Sequence, residues 1–99
     1  MSHEPFGNLR FIHSSCAPKP NPELHHFPLE VYVGKSAKIG FTVLTNPPEQ
    51  EYMWIQVTGF RDGSRILIGI LDNDPIQYVG FHCGDLVEFQ VNRIITLLP

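Results

Sequence analysis

The sequence predicts an all-β fold: a single small barrel of five or six short antiparallel strands, preceded by an extended proline-rich arm. Three observations predict it. Apolar residues alternate with polar ones from residue 29 onward, no segment matches a 3.6-residue repeat, and turn signals interrupt the alternation at short intervals. The 99 residues suit one domain, because two would each be too small to bury a useful core.

Residues 1–28 differ from the rest. The run CAPKPNPELHHFP holds four prolines, which remove amide donors and push the preceding residues to extended geometry, so no helix runs through it. This segment reads as an arm packing on the domain, with Leu9, Phe11 and Ile12 as a short strand. Residues 29–99 form the barrel. LEVYV places Leu29, Val31 and Val33 on one side and Glu30 and Tyr32 on the other, as a strand ending at the Gly34-Lys35 turn. SAKIGFTVL alternates Ala37, Ile39, Phe41 and Val43 against Lys38, Gly40 and Thr42. EYMWIQVTGF alternates Met53, Ile55 and Val57 against Tyr52, Trp54, Gln56 and Thr58. Asp62-Gly63 is a hairpin signal, after which RILIGIL puts Ile66, Ile68 and Ile70 in phase. DLVEFQV sets Val87, Phe89 and Val91 against Glu88 and Gln90, and RIITLL is a short last strand.

A flat sheet of such strands leaves edges exposed and one face uncovered, whereas curling gives a core without helices. Gly40, Gly59 and Gly69, inside strand patterns, mark bulges or sharp bends at the corners. An SH3-like, partly open barrel fits best, and an OB-like barrel is the alternative.

Composition narrows the function. Seven Lys and Arg against ten Asp and Glu give a net charge of −3, and the basic residues are scattered singly, which argues against a nucleic-acid partner. Cys16 and Cys83 lack any C-x-x-C spacing and read as two free thiols of a reducing compartment. Neither a signal-peptide core nor a run of about 20 apolar residues occurs, so the expectation is a cytoplasmic protein without a membrane partner.

EYMWIQVTGF, the hairpin, GILDNDP, GDLVEF and the final RII together resemble the bacterial family catalogued as domain of unknown function 2314. The likeness covers about residues 30–96 and is carried by Trp54, Asn73, Asp74, Pro75, Gly84 and Asp85. This chain departs from that pattern in its arm and in Asn92-Arg93 ahead of the last strand, where a histidine is expected. The resemblance implies a fold and brings no established activity.

Chemistry has one obvious candidate stretch, GILDNDPIQYVGFHCGD. Asp72, Asp74 and a carbonyl could begin a cation loop, but Pro75 and Ile76 stand where an EF-hand-like loop would continue. Asp and Asn also favour turns, because their side chains bond nearby amides and Pro presets the next residue. Asp72, Asn73, Asp74, Pro75, Gly84 and Asp85 are therefore read as structural turns. His25-His26 and His82-Cys83 are adjacent pairs that strand geometry points to opposite faces, and no spacing supports a zinc site gathered from Cys16, His26, His82 and Cys83. No metal, cofactor or catalytic residue is expected.

Tyr32, Tyr52, Trp54 and Tyr78 are a different matter, lying opposite the aliphatic phase of their strands. Either Trp54 packs beneath the arm, or these rings form an exposed patch that recognises a peptide or protein. The expected function is a non-catalytic protein-interaction module of bacterial type, an immunity or adaptor protein, monomeric or homodimeric. The alternative is a small metal-dependent or hydrolytic enzyme centred on Asp72, Asp74, Asp85 and His82.

Overall fold

The last strand of the module returns to pair with its first long strand, and the arm adds a short strand at the opposite edge of the sheet. The computed structural model describes residues 10–12, 20–43, 47, 49–75 and 81–99. Among the described residues six strands are formed: β1 (Arg10–Phe11), β2 (Ser36–Val43), β3 (Glu49–Phe60), β4 (Ile66–Leu71), β5 (Leu86–Gln90) and β6 (Ile94–Leu98). They make one sheet in the order β1-β5-β4-β3-β2-β6, in which only the β1–β5 pair is parallel. The fold is all-β, a partly open barrel with few helical residues.

Curvature comes from β3. Its first half pairs with β2, from Val43↔Glu49 to Ser36↔Gln56, and its second half pairs with β4, from Ile55↔Leu71 to Phe60↔Leu67. The register slips between Val57 and Gly59, so Thr58 is an extra residue, and such a bulge bends a strand and raises its twist. A second irregularity falls at Lys38/Ile39 in the β2–β6 pairing. Asp62 and Gly63 turn the β3–β4 hairpin, with Gly63 at φ 76° and the Arg61 amide donating to the Ile66 carbonyl at 3.0 Å. A 3₁₀ turn, Val91–Arg93, carries the chain from β5 to β6, which returns to pair with β2.

The interior follows the period-two pattern for most of the sheet. Ala37 and Ile39, Met53, Ile55 and Val57, and Val87 and Phe89 are all buried. Ile12, Phe81, Val91 and Ile94 complete that core with Leu67, Leu71 and Tyr32. Each fully buried aliphatic side chain contributes about 1.5–3 kcal/mol from apolar surface removed from water.

Two elements differ from expectation. LEVYV is not a strand: Leu29–Tyr32 is a single helical turn, α1, with the amides of Val31 and Val33 donating to Pro28 and Glu30 carbonyls. The reason is that one turn places Leu29 and Tyr32, three apart, on the same side. Tyr32 then buries fully beside half-buried Leu29, while Val31 and Val33 stay 40% and 41% exposed. Pro28, at φ −54°, favours the start of that turn. In β4 the buried phase is Leu67, Gly69 and Leu71, so Ile66, Ile68 and Ile70 face outward. Both phases of RILIGIL are apolar, and alternation alone cannot choose between them. Register chooses: Ile55 and Val57 face the core and pair with Leu71 and Gly69. A Cβ at Gly69 would stand 2.5 Å from the Gln56 carbonyl oxygen and 2.6 Å from Ile55 Cγ2, so only glycine fits that crossing.

The described part of the arm is held on the module at both ends of the sheet. The Ile12 amide donates to the Glu88 carbonyl on β5 at 2.8 Å, with Ile12 only 1% exposed. On the other side the Asn21 amide and His25 Nε2 both donate to the Ile94 carbonyl on β6, each at 3.0 Å. Among the described residues, no helix is long and apolar enough to cross a membrane.

Candidate functional site: the outer face of the sheet

Strand pairing places the outward residues in rows that cross the sheet. One row runs Leu98–Ser36–Gln56–Ile70–Leu86 over five strands, because each neighbour in it is a direct register partner. The next row is Thr96–Lys38–Trp54, and beyond it Tyr52 stands opposite Gly40. Glycine at that place leaves one side of the Tyr52 ring without a cross-strand neighbour. Leu98, Tyr52 and Ile70 are 47%, 42% and 41% exposed, and Trp54 is half-buried.

Lys38 organises the two rings. Its Nζ lies 4.8 Å from the Tyr52 ring centroid and 5.9 Å from that of Trp54, inside the range where a cation is drawn to an aromatic face. These rows thus set Leu98, Ile70, Tyr52 and Trp54 among Ser36, Gln56 and Thr96, with the positive charge of Lys38 near both rings. Further along, Ile68 pairs with Glu88, and Glu88 is engaged by Arg61 from the hairpin through a hydrogen bond and ion pair. That hydrogen bond, with the charge of Glu88, raises the Arg61 pKa.

The four aromatic residues named from the sequence do not gather. Tyr52 and Trp54 share the outer face with Lys38. Tyr32 lies inside the core, its hydroxyl donating to the Leu24 carbonyl at 2.6 Å and its ring 5.9 Å from that of Phe27. It cannot join a surface patch, since the helical turn reverses the side it faces. Tyr78 and Cys16 lie outside the described residues.

The acidic stretch is occupied by backbone. Asn73 Oδ1 accepts from the Trp54 amide at 2.7 Å, and the Asp72 amide donates to the Trp54 carbonyl at 2.9 Å, docking this loop on β3. Asp74 Oδ1 accepts from the Cys83 amide at 2.6 Å, and Asp85 Oδ2 from the His82 amide at 2.8 Å. Gly84, at φ 94°, is the third residue of a turn closed by the Asp85 amide on the His82 carbonyl, a place where a side chain is strained. Pro75 follows the docked loop half-buried. His82 and Cys83 are exposed, and among the described residues no three His, Cys, Asp or Glu side chains come together as metal ligands.

One concavity was not legible in the sequence. A cleft of about 330 Å³ opens where the β3–β4 hairpin meets the 3₁₀ turn, with His25 of the arm at its side. Its lining comes from three separate segments, so no spacing announces it. Arg65 fixes the geometry: Nη2 donates to the His25 and Phe27 carbonyls at 2.6 and 3.1 Å, and its own carbonyl accepts from the Val91 amide at 2.9 Å. Compared with known proteins, this chain matches no family model, no curated protein and no solved structure.

Proposed function

We propose that the protein is a non-catalytic interaction module that binds a protein partner through the outer face around Tyr52, Trp54, Lys38 and Ile70. The observation that carries this reading is the exposure of Tyr52 and Ile70 on a face where strand pairing also sets Trp54 and Leu98. Aromatic residues on a rigid sheet offer large contact area at small entropic cost, which suits the centre of an interface. Asp74 and Asp85, two of the three carboxylates of the enzymatic alternative, accept from backbone amides, which weighs against it.

The finer assignments are part of the same proposal. The return of β6 to β2 across a 3₁₀ turn supports the SH3-like form of barrel. Membership of the domain of unknown function 2314 family rests on the motifs around Trp54, Asn73-Asp74-Pro75 and Gly84-Asp85. A cytoplasmic immunity or adaptor role, in a monomer or homodimer, accords with the acidic composition and sparse cysteines.

The test is a paired substitution, Tyr52→Ser with Ile70→Ser, compared with wild type in pull-downs from a bacterial host and in thermal melts. Removing two interface anchors costs more than about 1 kcal/mol each, enough to lose a micromolar partner. A variant that melts like wild type and no longer retains the wild-type partner supports the reading. Retention of that partner by the folded variant overturns it.

A further inference from the structure

The cleft beside Arg65 has a cation at its side and mixed apolar and polar walls. Its apolar lining is Ile66 and Val91, and its polar lining is His25, Ser64, Arg65, Gln90 and Asn92. The chain carries ten acidic residues and a net charge of −3, yet among the described residues no carboxylate lines this cleft. Arg65 meets no carboxylate among the described residues: both of its hydrogen bonds run from Nη2 to main-chain carbonyls of the arm. Those two bonds hold the guanidinium in place and leave Nε and Nη1 without a partner among the described residues. A guanidinium fixed in this way has already lost much of its rotamer freedom, and its remaining Nε and Nη1 hydrogens can each donate a charge-assisted hydrogen bond to a carboxylate. The side-chain amides of Gln90 and Asn92 add neutral donors with no described partner.

The cleft also continues the outer face. Ile66 shares its phase with Ile68 and Ile70, and Gln90 is the register partner of Ile66 on β5. Four residues of strand separate Ile66 from Ile70, a span of about 13 Å. A chain lying along β4 would cover the isoleucines and reach the cleft about four residues later.

From these observations we infer that the cleft takes the carboxylate of an acidic side chain, carried by an extended segment of the partner whose apolar residues cover Ile68 and Ile70. This rests on the interaction reading above and names the chemistry of the partner. Arg65 pairs with the carboxylate, Gln90 and Asn92 donate to it, and the methylenes of the side chain lie on Ile66 and Val91. The volume suffices for one such side chain and sits at the small end of the range for ligand pockets.

The probe is N-acetyl-glutamate N-methylamide, titrated into the full chain and followed by NMR through the side-chain signals of Arg65, Gln90 and Asn92. The glutamine analogue is the neutral control. Saturable shifts at those three residues, at least tenfold weaker for the glutamine analogue, are expected. Asn92→Asp, which places a like charge at the cleft and leaves the Arg65 bonds intact, should weaken the glutamate probe at least fivefold. Lys35→Met, which removes a positive charge that does not line the cleft, should leave it unchanged. Equal binding of the two analogues, or indifference to Asn92→Asp in a folded protein, overturns the assignment. Tighter binding of N-acetyl-leucine through its free carboxylate would overturn the side chain as source and assign the cleft to a chain terminus. Because the probe never touches Tyr52, its failure is distinguishable from failure of the outer-face reading.

Discussion

Asp74 and Cys83, nine residues apart, are joined by a 2.6 Å hydrogen bond from the Cys83 amide to the Asp74 carboxylate. With Asn73 bound to the Trp54 amide and Asp85 to the His82 amide, both ends of the β4–β5 connection are anchored by side-chain acceptors standing in for ladder partners. Such acceptors satisfy amides that would otherwise rely on water.

The role of Asp74 and Asp85 therefore lies in their acceptor oxygens. Asp74→Asn and Asp85→Asn retain one and should be mild, whereas each Ala variant should cost about 0.5–2 kcal/mol, by analogy with lost helix-capping side chains. Urea unfolding of the four variants checks this. Stable Asn variants that have lost partner binding would contradict a role confined to the turns.

Divalent cations should leave the fold untouched. A ligand bound only by the native state raises stability in proportion to the logarithm of its concentration. Two of the carboxylates of this region already accept from backbone amides. Thermal melts with excess EDTA, and with added Ca²⁺, Mg²⁺ or Zn²⁺, should superimpose. A shift of several degrees with any one ion would overturn the structural reading of these acids.

Gly69→Ala tests the crossing of β3 and β4. The new methyl would meet the Gln56 carbonyl oxygen and Ile55 Cγ2 at 2.5 and 2.6 Å, and the first of these is backbone that cannot rotate away. Overpacking of this kind costs about 1–3 kcal/mol. Gly59→Ala, where a Cβ meets nothing within 4 Å and φ is not positive, is the internal comparison and should cost much less. Equal denaturant midpoints for the two would contradict the close approach.

Most of the fold could be read from the sequence, for a physical reason. Where one phase of a strand is aliphatic and the other polar, as in Met53, Ile55 and Val57 against Gln56 and Thr58, burial has one solution and alternation shows it. RILIGIL is apolar in both phases, so the inward choice of Leu67 and Leu71 depends on register and on the space at Gly69, which are tertiary facts. Asp85 acts locally, accepting from the amide of His82, whereas Asn73 and Asp74 accept from the amides of Trp54 and Cys83, partners that no turn motif announces because Trp54 approaches from another strand. The Arg65 cleft left no trace, because three distant segments meet there.

The last expectation concerns LEVYV, where five residues are too few for periodicity to separate strand from helix. The two geometries bury opposite residues and so predict opposite mutants. A strand would bury Val31 and Val33 and expose Tyr32. The observed turn buries Tyr32 completely, packs its ring at a tilt against Phe27 and bonds its hydroxyl to the Leu24 carbonyl. Tyr32→Ala should then cost about 3–5 kcal/mol, as for other large aromatic truncations in a core. Tyr32→Phe keeps the packing and loses only the hydrogen bond, for about 0.5–1.5 kcal/mol. Val31→Ser, at a side chain 40% exposed, should stay within about 0.5 kcal/mol of wild type. Denaturant midpoints ordered Val31→Ser, Tyr32→Phe, Tyr32→Ala from most to least stable support the helical turn. A severe loss at Val31 with tolerance at Tyr32 would mean that the segment pairs as a strand in solution.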